Sequence, residues 1–311
     1  MSDKVIKGRL SLERNNRLAE EEPQRFVEES ERAYQSQLET IALHIRENRE
    51  QCRIVLLAGP SASGKTTTAS KLRKQLEKLG IQSVYVSLDN FFLNRNEVPL
   101  LPDGMKDLES IRALDLDCLN RFFSDLLQTN RASIPIFDFN TGCRSEKTVA
   151  LEIDRNSVVI IEGIHALNPV ITEGHYNGSF CKLYISPKSE YESEGKIVLN
   201  SRNTRLIRRM VRDFQFRGAS PEHTMQMWKH VVEGEDLYIR PFRTTADFWI
   251  DSFHAYEPMI FHHFLLPILD GTGADSPYHA KFVQLREILD LFYDMEKSAV
   301  PADSLLREFI G

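Results

Sequence analysis

Eight consecutive residues constrain this chain more than any others. Gly59, Pro60, Ser61, Ala62, Ser63, Gly64, Lys65 and Thr66 fit G-x-x-x-x-G-K-[ST] at every fixed position. A short apolar β-type run at 53–58 precedes them and a helical stretch at 65–79 follows. The glycines let the backbone turn so that successive N–H groups face inward on phosphate oxygens. The helix presents its positive end to the same anion. Lys65 then reaches the β/γ-phosphates, the hydroxyl of Thr66 is a hard ligand for Mg²⁺, and Thr67 continues the cradle. A chance match in a chain of this length has odds of roughly 1%. The motif therefore reads as a nucleoside triphosphate site.

Composition narrows the setting. With 41% hydrophobic and 27% charged residues the chain is an ordinary globular mix, so wholesale disorder is excluded. A net charge of −6 disfavours a general nucleic-acid coat. The four cysteines are scattered without a C-x-x-C pair, which fits a reducing compartment. The first residues carry no apolar signal segment, and no apolar run approaches the ~18–20 residues of a membrane span. The expectation is a cytoplasmic protein with no membrane partner.

Along the chain, residues 1–24 read as an extended or weakly ordered polar arm and 23–49 as a surface helix. Apolar β-type runs at 53–58, 83–87, 157–161 and 182–185, with a further strand at 247–250, alternate with helical stretches at 65–79 and 107–128. Residues 144–153 alternate like a strand, and helices are expected at 197–217, 221–233, 256–269 and 279–295. Such alternation predicts an α/β fold with a parallel sheet of about five strands flanked by helices.

Three features bear on the use of the triphosphate. Asp89 follows the strand 83–87, where the carboxyl ends of parallel strands line a ligand crevice. It could take a hydroxyl proton there, or simply open a turn. Glu162 ends the strand 157–161, where an acid could hold Mg²⁺ or its water, or again begin a turn. Arg205, Arg208, Arg209 and Arg212 recur at i, i+3, i+4 and i+7, on one ~100°-wide helical face, with Arg217 just beyond. Guanidinium groups so crowded call for anions between them, such as a transferring phosphoryl group; a solvated face or an RNA contact is the alternative.

These pieces, in this order, resemble the uridine kinase/phosphoribulokinase family of P-loop kinases. The matching stretches are 59–67, 87–92, 134–144, 158–163 and 205–218, within residues 53–251. The strings at 162–169 and 228–235, and Leu306-Arg-Glu-Phe-Ile-Gly311, resemble a bacterial branch with threonyl-tRNA synthetase-like N-terminal modules, which residues 1–50 do not supply. The resemblance implies a small substrate-side β-hairpin and a helical lid near 197–235 within a kinase unit at 51–275. The helix and tail at 276–311 would pack on that unit.

It also implies roles. Asp89 would be the base on a sugar hydroxyl and a neighbour of the metal, with Thr66 and Glu162 as metal ligands. Lys65, Arg208 and Arg212 would be catalytic, and Arg209 and Arg217 would close on the triphosphate with the loop residues. Asp107, Phe137, Arg144 and Arg205 would face the acceptor. The chain departs from uridine kinases in carrying Phe137 and Gly142 where the family has the Tyr and His associated with the pyrimidine. Absent hydrogen-bonding groups can move selectivity by orders of magnitude.

The resulting expectation is an ATP- and Mg²⁺-dependent phosphotransferase acting on a small ribose-containing acceptor, a nucleoside first. A phosphorylated sugar or other metabolite is the second choice. A nucleotide-dependent regulatory or RNA-binding module is the third, although nucleic acid is not the expected partner. A homo-oligomer is compatible with the sequence.

Overall fold

Five apolar runs meet in one parallel sheet. A computed structural model describes residues 8–174 and 180–311. The chain opens with β1 (Arg9–Ser11), α1 (Leu12–Glu21) and the long α2 (Pro23–Glu47). Next come β2 (Ile54–Ala58), α3 (Lys65–Lys78), β3 (Ser83–Ser87) and α4 (Leu116–Thr129). A hairpin of β4 (Arg131–Asp138) and β5 (Cys143–Glu152) leads to β6 (Val158–Glu162), α5 (Pro169–Thr172) and β7 (Phe180–Ser186). A second hairpin, β8 (Glu190–Ser193) and β9 (Lys196–Leu199), precedes α6 (Ser201–Arg217) and α7 (Pro221–Gly234). The remaining elements are β10 (Phe248–Asp251), α8 (Glu257–Asp270), α9 (His279–Leu289) and α10 (Arg307–Ile310).

The central sheet has the order β10-β7-β2-β6-β3, and every pairing in it is parallel. All five residues of β2 are buried, as are those of β6, because helices cover both faces. Val55 and Leu57 face one apolar core, shared with α2, α3, α6 and α8. Ile54, Leu56 and Ala58 face the other, beneath α4 and the β4–β5 hairpin. The α/β architecture with five parallel strands and a separate antiparallel hairpin is thus present. No helix among the described residues is long and apolar enough to cross a membrane.

Local structure departs from the sequence reading in four places, the plainest being that the helix expected at 279–295 ends at Leu289. From Arg9 onward the polar arm is ordered, with β1 pairing parallel to β8 and α1 capped by the hydroxyl of Ser11, which accepts from the Arg14 amide. Its polarity belongs to exposed positions; Leu12, Asn15 and Ala19 are buried. Residues 1–7 of that arm lie outside the described residues. Residues 107–115 form no α-helix, only a single 3-10 turn at Ile111–Ala113. There the carboxylate of Asp107 accepts from Ser110 N and that of Asp115 from Cys118 N, so helix formation waits until Leu116. The segment 196–199 is strand, not the start of a helix. Glu194 and Gly195 both take positive φ, 49° and 76°, and turn the chain back on itself.

Candidate active site

The phosphate loop leaves the carboxyl end of β2 at the middle of the sheet, where α/β folds hold ligands. Gly59 is forced by contact: a Cβ there would lie 2.2 Å from the Ile185 carbonyl oxygen. Gly64 caps α3 in the left-handed region, φ +87°, and a Cβ on it would meet Leu305 at 2.6 Å. Ser63 N donates to Pro60 O at 3.2 Å, and the Lys65 ammonium also bonds Pro60 O, at 3.3 Å. The first bond inside α3 runs from Thr68 N to Gly64 O. The amides of Lys65, Thr66 and Thr67 are therefore free of the helix ladder, as anion binding requires.

Two strand ends bring carboxylates to this loop. Ser87 of β3 and Leu57 of β2 both stand in register with Glu162 of β6. Glu162 is 5% exposed, and its Oε2 accepts from the Tyr85 hydroxyl at 3.0 Å and from Ser87 Oγ at 3.5 Å. Asp89 opens a 3-10 turn just past β3, fixed by its own amide donating to Ser87 Oγ. Burial raises the proton affinity of both carboxyls, and Lys65 pulls both back down. Arg217 adds to that pull on Asp89.

A third acid, Glu109, two residues beyond Asp107, carries no sequence signal of its own. Burial pushes its carboxyl up to about 7, against Arg209, Lys65 and Arg205. A proton held on the folded chain but shed by the unfolded one, whose carboxyl has the ordinary value of 4.5, makes stability pH-dependent. The contribution is full below 4.5 and is lost as pH rises through about 7. Glu109→Gln is expected to flatten that part of the stability–pH curve, which urea titrations from pH 4.5 to 8 would measure; an unchanged slope would refute the assignment.

The arginines do not form one open basic face. Arg205 and Arg208 are 1% and 0% exposed, so neither is free for RNA or a lid surface. Arg205 pairs with Glu235 and lies 5.4 Å over the Trp228 ring. Arg208 pairs with Glu257 through Nε and Nη2, at 2.9 and 2.7 Å, and donates to Ser252 O and to Ala62 O inside the loop. This burial is the physical reason that the expected direct contacts of Arg205 with acceptor and of Arg208 with the reacting phosphate are replaced by ion pairs. On the loop side, Arg209 Nη1 donates to Ser61 Oγ at 2.9 Å. Arg209, Arg212 and Arg217 converge on one carboxylate, Asp213, at 3.2, 2.9 and 3.3 Å. The counterions the stripe demands are mostly in the chain itself, and Arg217, 57% exposed, is the most open member.

On the acceptor side, Arg144 pairs with Asp115 at 2.8 Å and donates to the carbonyls of Phe91 and Phe92, tying the β4–β5 hairpin to the Asp89 turn. Phe137 packs against Phe92 and Phe139, with ring centroids 5.9 and 5.1 Å away. Gly142 adopts φ +67°, and a Cβ there would approach Arg95 Nε to 2.8 Å. The Arg95 side chain thus fills the space beside Gly142.

A family profile described as "Phosphoribulokinase / Uridine kinase family" matches residues 54–175, from β2 through the carboxylates just described. Over that stretch the chain is similar to this family. The matched stretch holds the phosphate loop, Asp89 and Glu162. Among similar proteins, the uridine kinase of Ureaplasma parvum is 25% identical over 197 residues, covering 62% of this chain and 85% of that protein. The uridine kinase of Macrococcus caseolyticus is 27% identical over 195 residues, with coverage of 62% and 85%. That of Mycoplasma genitalium is 28% identical over 195 residues, with coverage of 62% and 82%.

The candidate site also includes a residue from the far end of the chain. Glu308, 241 positions beyond Thr67, accepts its hydroxyl at 2.6 Å and its amide at 3.4 Å. Among the described residues no group of three or more His, Cys, Asp or Glu forms a metal cage.

Proposed function

We propose that this kinase transfers the γ-phosphoryl group of ATP to a hydroxyl of a small ribose-containing acceptor, with a nucleoside as the first candidate. The reading rests on one observation above all: Asp89 stands at a strand end close enough to Lys65 for the ammonium to lower its proton affinity. An acceptor hydroxyl placed between them would lose its proton to Asp89 as its oxygen attacks the phosphorus, and ADP would leave. Lys65 and the loop amides hold the donor phosphates, and Arg209, Arg212 and Arg217 spread the charge developing on the transferred group. Arg208 positions the loop through Ala62 without touching substrate. Thr66, with Glu162 and Asp89 through water, would hold Mg²⁺, which neutralises phosphate charge when bound. Asp107 would meet the ribose hydroxyls, and Phe137 and the Arg144 clasp would shape the acceptor wall.

The test is a screen of acceptor-stimulated ADP release over nucleosides and phosphorylated sugars, with Lys65→Ala as the blank. Turnover with an acceptor that disappears in the blank supports the reading. A panel without stimulated turnover overturns it.

A second reading concerns acceptor class alone. Arg95 fills the space at Gly142, and a cation in the acceptor wall favours a substrate carrying an anionic group, such as a phosphorylated sugar. In the same screen, Arg95→Ala is expected to raise KM for such an acceptor by about tenfold with little change in kcat. An unchanged KM would remove Arg95 from recognition.

A further inference from the structure

The segment around α10 lies against the phosphate loop. Leu305, Leu306 and Phe309 are fully buried, with Leu305 filling the space over Gly64 and Phe309 lying 5.1 Å from the Arg208 guanidinium. Polar ties hold the same segment: Ser304 Oγ meets the Tyr256 hydroxyl at 3.0 Å, and that hydroxyl donates to Glu31 at 2.6 Å. Lys297 donates to Ile310 O at 2.9 Å, and Arg307 to Pro301 O at 3.1 Å. The backbone here is core. Glu308 is the partly exposed side chain that this anchored segment aims at α3.

Its carboxylate takes two donors at once. The Thr67 hydroxyl donates to Oε2 at 2.6 Å, and the Thr67 amide, outside the helix ladder, donates to the same oxygen at 3.4 Å. In a phosphate loop the amides after the lysine serve the α/β-phosphates, while the lysine serves the β/γ pair. An anionic oxygen of the chain therefore sits where an anionic oxygen of the donor belongs. Two such oxygens cannot share these donors, since like charges in contact repel and each needs the same N–H and O–H.

We propose that Glu308 is a built-in competitor for the donor nucleotide, and that each binding event expels its side chain from Thr67 while the buried backbone stays in place. The proposal deepens, and rests on, the nucleotide-site reading above. Its consequence is a donor affinity set below what the loop alone would give.

Calorimetric titration with Mg·ADP tests it on the whole chain, comparing wild type, Glu308→Gln, Glu308→Ala, Asp303→Asn and Lys65→Ala. Asp303 is 80% exposed and pairs with Lys71, so its substitution removes one negative charge from the same segment without freeing Thr67. Both Glu308 variants are expected to bind about tenfold more tightly with unchanged melting temperature, and Asp303→Asn to bind as wild type. If the Glu308 variants bind as wild type or more weakly while Lys65→Ala loses binding, the competitor proposal is wrong and the nucleotide site stands. A gain in Asp303→Asn equal to that of Glu308→Gln also overturns it, because net charge alone would then account for the effect. If neither wild type nor the Glu308 variants bind, the nucleotide reading itself falls, and the competitor with it.

Discussion

An Asp89→Asn variant is expected to lose phosphoryl transfer by roughly 10²–10⁴-fold, the usual contribution of a positioned general base, while binding nucleotide nearly as before. The substitution is close to isosteric. The bond that fixes the turn uses the Asp89 amide and Ser87 Oγ, so it survives the change. What disappears is the oxygen able to carry a proton away from the acceptor hydroxyl. Burial lifts the proton affinity of Asp89, and Lys65 and Arg217 restrain it. The acid limb of the pH–rate profile should therefore lie above the ordinary carboxylate range and move further up in Arg217→Ala. Acceptor-dependent ADP release gives the rates and calorimetry the binding. Normal transfer by Asp89→Asn would remove the base from the scheme while leaving the loop untouched.

Replacing Arg208 by Met is expected to destabilise the fold by roughly 3–5 kcal/mol, the cost of breaking a buried ion pair by removing one partner. The guanidinium is 0% exposed and bonds Glu257, Ser252 O and Ala62 O together. Without it, the Glu257 carboxylate is left charged in the core, and Glu257 Oε1 already has no hydrogen-bond partner. Burial raises the Glu257 proton affinity and Arg208 is the first group that lowers it. Loss of Arg208 lifts it further, so the penalty should shrink as pH falls and the carboxyl is neutralised. Adding Glu257→Gln to Arg208→Met should recover much of the loss. Urea unfolding of both variants at two pH values checks this, and a single variant as stable as wild type would mean that the pair contributes nothing net.

The phosphate loop, the parallel sheet and the strand-end acids were legible because each leaves a short local pattern in the sequence. Glycine is needed where a backbone closes on Ile185, and the apolar runs of β2 and β6 state that both faces are covered. The arginine stripe was legible as spacing but not as chemistry. Helical periodicity puts Arg205, Arg208, Arg209 and Arg212 near one another, yet the carboxylates that neutralise them include Glu235 and Glu257, on other elements. Asp213 lay inside the stripe, and its role as shared counterion depends on side-chain direction rather than spacing. The segment 107–115 misled because its apolar residues keep a helical rhythm, while Asp107, Ser110 and Asp115 spend their oxygens on nearby amides. Glu109 and Glu308 gain meaning only from the three-dimensional assembly.

The distance along the chain between Thr67 and Glu308 also bears on biosynthesis. As the polypeptide leaves the ribosome, β2, α3, β3 and β6 can assemble early, but Leu305 and Phe309 lie more than 140 residues beyond the end of β6. Until then the nascent loop lacks the wall over Gly64 and the carboxylate at Thr67, and its amides stand open to any passing polyanion in the surrounding medium.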